Sequence, residues 1–196
     1  MSIPILAMCS FALSMSASPG PVNLLILSQS LSLGWRKTLP LVSGATLGFI
    51  ALLSLLATTA AALSPLPAQL LQAMNYLALL YTFYLAGKIA LADVSQTESQ
   101  AQAASFSSGM LLQTLNPKAW LAGLAGISLF SQSSEPTNIW IFVALYFLIC
   151  YAALAAWAIL GAHASRILRQ PRQLRRLNQL MAGLLILSGL INIWHH

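Results

Sequence analysis

Six long apolar runs separated by short polar breaks dominate this chain and leave it few ways to fold. The runs cover residues 5–33, 40–63, 69–91, 106–130, 138–163 and 176–194. At about 1.5 Å of rise per residue, each approaches or exceeds a bilayer core of ~30 Å as a helix. The breaks carry residues that stop helices or suit a lipid boundary. They are Gly34 with Arg36 and Lys37, Ser64-Pro65-Leu66-Pro67, the polar stretch 93–105, residues 131–138 with Glu135 and Pro136, and the basic stretch 166–176 around Pro171. Lipid offers no partner to free backbone N–H and C=O groups, so the runs are expected to be helical. The short alternating segments of a β-barrel are not seen in them. The expected fold class is an all-α membrane protein with six transmembrane helices.

Charge supports this reading. The 196 residues include nine Lys plus Arg and three Asp plus Glu, 6% charged in all, where a soluble domain carries about a quarter. Six spans leave no length for a soluble catalytic domain, so one integral membrane domain is expected over 1–196. The basic residues fall between apolar runs and not on a polar face, which argues against a nucleic-acid partner. Arg36 and Lys37 lie in the first break, Lys88 borders the third, and Arg166, Arg169, Arg172, Arg175 and Arg176 fill the fifth. The second and fourth breaks have neither Lys nor Arg. The positive-inside rule then places breaks one, three and five in the cytoplasm and both termini outside. Met1 to Ala17 is like a signal peptide but lacks a basic start, and its apolar pattern runs on past Pro21 to Leu33, so a retained first helix is expected. Leu6-Ala7-Met8-Cys9 is a poor lipoprotein cleavage site because of Met8, and nothing is drawn from His195 and His196.

Three crossings on each side of a polar linker have a topological consequence. Residues 1–92 and 106–196, joined by 93–105, would be two repeats of opposite orientation, a plan common in secondary transporters. The first span of each half is disrupted. In span one, Ser18-Pro19-Gly20-Pro21-Val22-Asn23 removes backbone donors, and a continuous helix over 5–33 would reach ~43 Å, longer than the ~30 Å core. In span four, Leu115-Asn116-Pro117-Lys118 breaks the helix, and Asn116 can bond the freed backbone. Lys118 lies twelve residues into the span, ~18 Å deep, beyond easy snorkelling. A charge at that depth costs at least ~2.5–3.5 kcal/mol, so Lys118 is expected to face a polar cavity or a ligand unless the span begins later.

Proline and glycine also make ordinary kinks in membrane helices. Disruption at corresponding places in both halves favours a substrate site built from Pro19, Gly20, Pro21, Asn23, Asn116, Pro117 and Lys118. Half-helix N-termini and Lys118 suit a carboxylate, while freed carbonyls and the two asparagines suit an ammonium group. No Asp or Glu lies inside a span, which favours a neutral over a dibasic amino acid. The Gly44 and Gly48 spacing reads as helix packing more than ligand contact. Cys9 and Cys150, far apart in apolar runs, read as small buried hydrophobes.

These residues resemble the LysE/RhtB family of amino-acid exporters over nearly the whole chain. Pro19-Gly20-Pro21 is similar to the family's Pro-Gly-Pro in helix one. Gly34-Trp35-Arg36-Lys37, followed by Gly44 and Gly48, is similar to its Gly-x-Arg turn and glycine-bearing second helix. Tyr84-Leu85-Ala86-Gly87-Lys88 resembles the end of helix three, with Ala86 where leucine is usual, and Leu115-Asn116-Pro117-Lys118-Ala119 resembles the helix-four motif. The resemblance implies a secondary transporter of the bacterial inner membrane that exports an amino acid or close derivative, driven by the proton motive force. It does not fix the substrate. It implies no enzyme activity and no cofactor, and a homodimer is compatible with it. With no carboxylate inside the spans and His163 at a helix end, Lys118 is the candidate to carry a coupling proton. A metal-ion exporter would need His, Cys or carboxylate ligands clustered in the spans. A thiol–disulfide carrier would need matching cysteines, whereas Cys9 and Cys150 fall in spans one and five.

Overall fold

Helices in this protein begin and end where the sequence removes a backbone donor or permits an unusual turn. The computed structural model describes residues 5–59, 105–130, 137–167 and 170–194, together with nine positions between 76 and 91. Seven helices are continuous among the described residues: α1 Ile5–Ala17, α2 Pro21–Leu33, α3 Trp35–Thr59, α4 Phe106–Thr114, α5 Pro117–Phe130, α6 Thr137–Ile167 and α7 Pro171–Trp194. The described positions from 76 to 90 are helical as well, and no strand occurs among the described residues. The expected third span, 69–91, and the linker after it lie mostly outside them, as do Lys88 and Arg169.

Both expected breaks are present. α1 stops at Ala17 and α2 starts at Pro21, with the two axes bent by 57°. Pro21 sits in the first turn of α2, where a missing N–H costs no helical hydrogen bond. Likewise α4 stops at Thr114 and α5 starts at Pro117. The first polar break is shorter than the sequence suggested. Gly34 alone turns the chain, at φ 78, and its N–H bonds Ser30 O at 3.0 Å. That left-handed backbone favours glycine. Trp35, Arg36 and Lys37 already belong to the first turn of α3, and Arg172, Arg175 and Arg176 belong to α7.

The long helix α6 is the hub, packed against α1, α2 and α3, while α3 also lies along α4. Every fourth residue of α6 faces inward: Phe142, Tyr146, Cys150, Leu154 and Ala158 are all buried, the spacing of one helix face. Met8 and Ala12 of α1, Ile26 of α2 and Phe49 of α3 join them in the main core. A second cluster joins Leu24 and Leu31 of α2 to Ala86, Ile89, Met181 and Ala182. Glycines allow α3 and α4 to meet backbone to backbone. A Cβ on Gly48 would stand 2.9 Å from Met110 O, and one on Gly44 would strike the carbonyl of Phe106. The glycine spacing on α3 therefore serves helix packing.

The outward faces are apolar. Leu6, Leu148 and Leu180 are 81%, 63% and 66% exposed, an arrangement water would not favour over so many helices. By length and apolarity α3 and α6 can each cross a membrane, and the bent pair α1–α2 makes a third crossing if taken as one span.

Candidate functional site

The two breaks meet each other. Lys118, in the first turn of α5, extends its Nζ to the carbonyl oxygen of Ser18 at 2.6 Å, in the break between α1 and α2. Its side chain also passes over Gly20, where a Cβ would stand 3.2 Å from Lys118 Cδ and 3.3 Å from Nζ. Residues one hundred positions apart thus share one contact.

Broken helices leave backbone groups without helical partners, and side chains satisfy several of them here. Asn23 Nδ2 donates to Ser16 O at 2.8 Å, Trp157 Nε1 to Ala17 O at 3.2 Å, and Trp120 Nε1 to Thr114 O at 2.7 Å. At the start of α5, Asn116 Oδ1 accepts from Lys118 N at 3.1 Å and caps the helix. Asn116 Nδ2 in turn donates to Gln113 Oε1 at 3.3 Å. The start of α2 differs. Its N-cap is Gly20, with no side-chain cap, so the N–H groups of the first turn have no side-chain acceptor. The positive end of α2 and the ammonium of Lys118 therefore lie side by side.

A half-open cleft lies beside this junction, lined by Asn23, Asn116 and Lys118 among the expected site residues. Gly20 borders the cleft through its contact with Lys118. Pro19 and Pro21 shape the first break without lining it, and Pro117 begins α5 at the second. All the space between its atoms, open mouth included, amounts to about 350 Å³. The enclosed part holds water-sized molecules more readily than a whole amino acid, so a substrate would require the cleft to widen.

Part of this lining carries no signal in the sequence. Ser16 of α1, Phe49 of α3, Gln113 of α4 and the α6 residues Tyr146 and Cys150 also face the cleft. The α6 run is apolar throughout, and nothing in its pattern marks Tyr146 or Cys150 as different from core. Cys9 and Cys150 are free thiols, the first partly exposed and the second buried. The chain's three acidic residues, Asp93, Glu98 and Glu135, lie outside the described residues. Among the described residues, then, no carboxylate neutralises Lys118.

Several curated relatives carry the description cysteine/O-acetylserine efflux protein. The one from Escherichia coli O139:H28 (strain E24377A / ETEC) is 29% identical over 182 residues, covering 92% of each chain. Those from Escherichia coli strain K12 and Shigella flexneri serotype 5b (strain 8401) are 28% and 29% identical over the same coverage. No solved structure gives a significant match. The LysE type translocator family matches residues 13–191, nearly the full length, and the chain belongs to that family, whose members are transporters and not enzymes.

Proposed function

We propose that this protein exports a small neutral amino acid, of the cysteine and O-acetylserine class, from the cytoplasm across the bacterial inner membrane. The observation that carries this reading is the Lys118 ammonium held beside the uncapped start of α2, with Ser18 O as its one hydrogen-bond acceptor among the described residues. An ammonium has three donors. Two are left for a ligand, in surroundings where an uncompensated charge is costly. A carboxylate placed there would accept from Lys118 Nζ and from the first-turn N–H groups of α2. The side-chain oxygens of Asn23 and Asn116 could then accept from the α-ammonium, since Asn23 Oδ1 lies on the Gly20 side of the cleft.

The relatives' descriptions support amino-acid efflux, and both named compounds are zwitterions with short side chains. The two breaks that meet at Lys118 support a central site between two inverted three-helix halves, six spans in all. The basic residues support cytoplasmic placement of the α2–α3 turn and of the α6–α7 connection, with both termini periplasmic. Coupling to the proton motive force completes the proposal.

The test is export from cells overproducing the wild type or Lys118→Ala at matched membrane levels, read as a panel of extracellular amino acids. The expected result is accumulation of one or a few small neutral amino acids by the wild type and about a tenfold loss in the variant, roughly the value of one charge-assisted hydrogen bond. No accumulation of any amino acid by correctly inserted wild type would overturn the reading.

A further inference from the structure

Polar side chains outside the two breaks also line the cleft. Tyr146 and Cys150 are one turn apart on α6 and face into the cleft together. Ser16 of α1, buried at 7% exposed, lines the same cleft. Ser16 Oγ lies close to the Tyr146 and Cys150 side chains, but among the described residues no partner meets hydrogen-bond geometry with it. A buried hydroxyl without a partner is unfavourable in surroundings this apolar. It could instead have bonded the preceding turn of its own helix, as Thr46 does with Val42 O at 2.9 Å. Phe49 and Tyr146 pack against each other with ring centres 4.5 Å apart and planes tilted by 45°, and Leu154 and Ala122 add apolar surface to the lining.

We propose that Ser16, Tyr146 and Cys150 form the subsite for the transported amino acid's side chain, selecting a short chain that carries a thiol, hydroxyl or ester oxygen over an aliphatic chain of equal size. This rests on the export reading. It adds residues distinct from the carboxylate end at Lys118 and Gly20, and it assigns the substrate preference to them. The Ser16 hydroxyl makes its missing hydrogen bond to the substrate's side-chain heteroatom. Cys150 supplies a soft contact that suits sulfur. The Phe49 and Tyr146 rings limit length and branching.

The discriminating pair is L-cysteine and L-2-aminobutyrate, which differ by a thiol in place of a methyl group. Uptake into proteoliposomes holding the full-length protein would be measured for both under reducing conditions. The wild type is expected to favour cysteine by about tenfold in kcat/KM, the weight of one buried hydrogen bond. Ser16→Ala should bring that ratio close to one by lowering cysteine transport several-fold more than 2-aminobutyrate transport, a change in ratio that a general packing defect would not produce. Equal loss for both substrates, or an unchanged ratio, would overturn the subsite. A wild type that moves both amino acids without preference would overturn it too, with the export reading left standing. A wild type that moves no amino acid would remove both. Should Ser16→Ala fail to fold, the Cys9→Ser protein offers a second measurement. Cys150 should react with a small methanethiosulfonate reagent, and L-serine should slow that reaction more than 2-aminobutyrate does. No reaction at Cys150, or equal protection by the two, would overturn the proposal.

Discussion

Adding one methyl group at Gly44 should loosen the contact between α3 and α4 more than the same change at Gly48, one turn further along that interface. At Gly48 an added Cβ would stand 2.9 Å from Met110 O and 3.0 Å from Met110 Cα. Ordinary carbon contacts begin near ~3.5 Å, so the helices would part by about 0.5 Å there. At Gly44 the new atom would fall on the Phe106 carbonyl, 2.7 Å from its carbon and closer still to its oxygen. That obstacle is backbone and cannot swing aside, so the separation must exceed about 1 Å, enough to forfeit half or more of the dispersion along the contact. Overpacking of this kind costs about 1–3 kcal/mol. We expect Gly48→Ala near the lower value and Gly44→Ala near the upper. Gly183, where an added Cβ would meet nothing within 4 Å, is the control, and Gly183→Ala should be neutral or slightly stabilising. For a chain of this size the upper value lowers the melting midpoint by about 6–12 °C. The assay is a thermal melt of detergent-solubilised protein at one scan rate, followed by size-exclusion chromatography with fluorescence detection. Gly44→Ala melting with the wild type, or Gly183→Ala melting below it, would refute the close-packing argument.

Two further substitutions test the junction. Gly20→Ala is allowed by the backbone, since φ −161 and ψ 174 are extended, but its Cβ would press on Lys118 Cδ and Nζ. The protein should fold and melt within about 1 kcal/mol of the wild type while export falls by about tenfold, because the charge that positions the substrate is displaced. Unchanged export would count against a role for Lys118 at this position. Trp120→Phe removes the indole N–H from Thr114 O at 2.7 Å and leaves the end of α4 unsatisfied. A loss of about 1–3 kcal/mol in stability is expected, and a melt superimposable on the wild type would show that the hydrogen bond contributes nothing.

The breaks were legible because proline acts locally. Pro21 and Pro117 cannot donate, and each heads a helix as its residue type dictates. Counting along the span marked Lys118 as a charge in need of a partner, and its ammonium bonds a carbonyl in the other break. Helix ends were harder. Polar residues mark both loops and the terminal turns of helices, which is why Arg36 and Lys37, expected in a break, lie in the first turn of α3. The α6 contribution was not legible. Tyr146 and Cys150 sit in an unbroken apolar run, and only packing against α1 and α3 turns that face into part of a cleft. Ser16 gave no signal for the same reason, being one of several serines in span one. The two tryptophans that hold freed carbonyls depend on contacts between elements, which no spacing rule reports.

The central claim is that Lys118 and the start of α2 read a carboxylate, and amide-for-acid replacement in the ligand tests it most directly. Binding of L-serine and of L-serinamide to the purified protein would be compared by ligand-induced thermal shift, in wild type and Lys118→Met. The account predicts that wild type binds the acid at least about tenfold more tightly than the amide, and that Lys118→Met binds the two alike and weakly. Equal binding of acid and amide by the wild type, or a preference for the acid that survives the loss of Lys118, would contradict it.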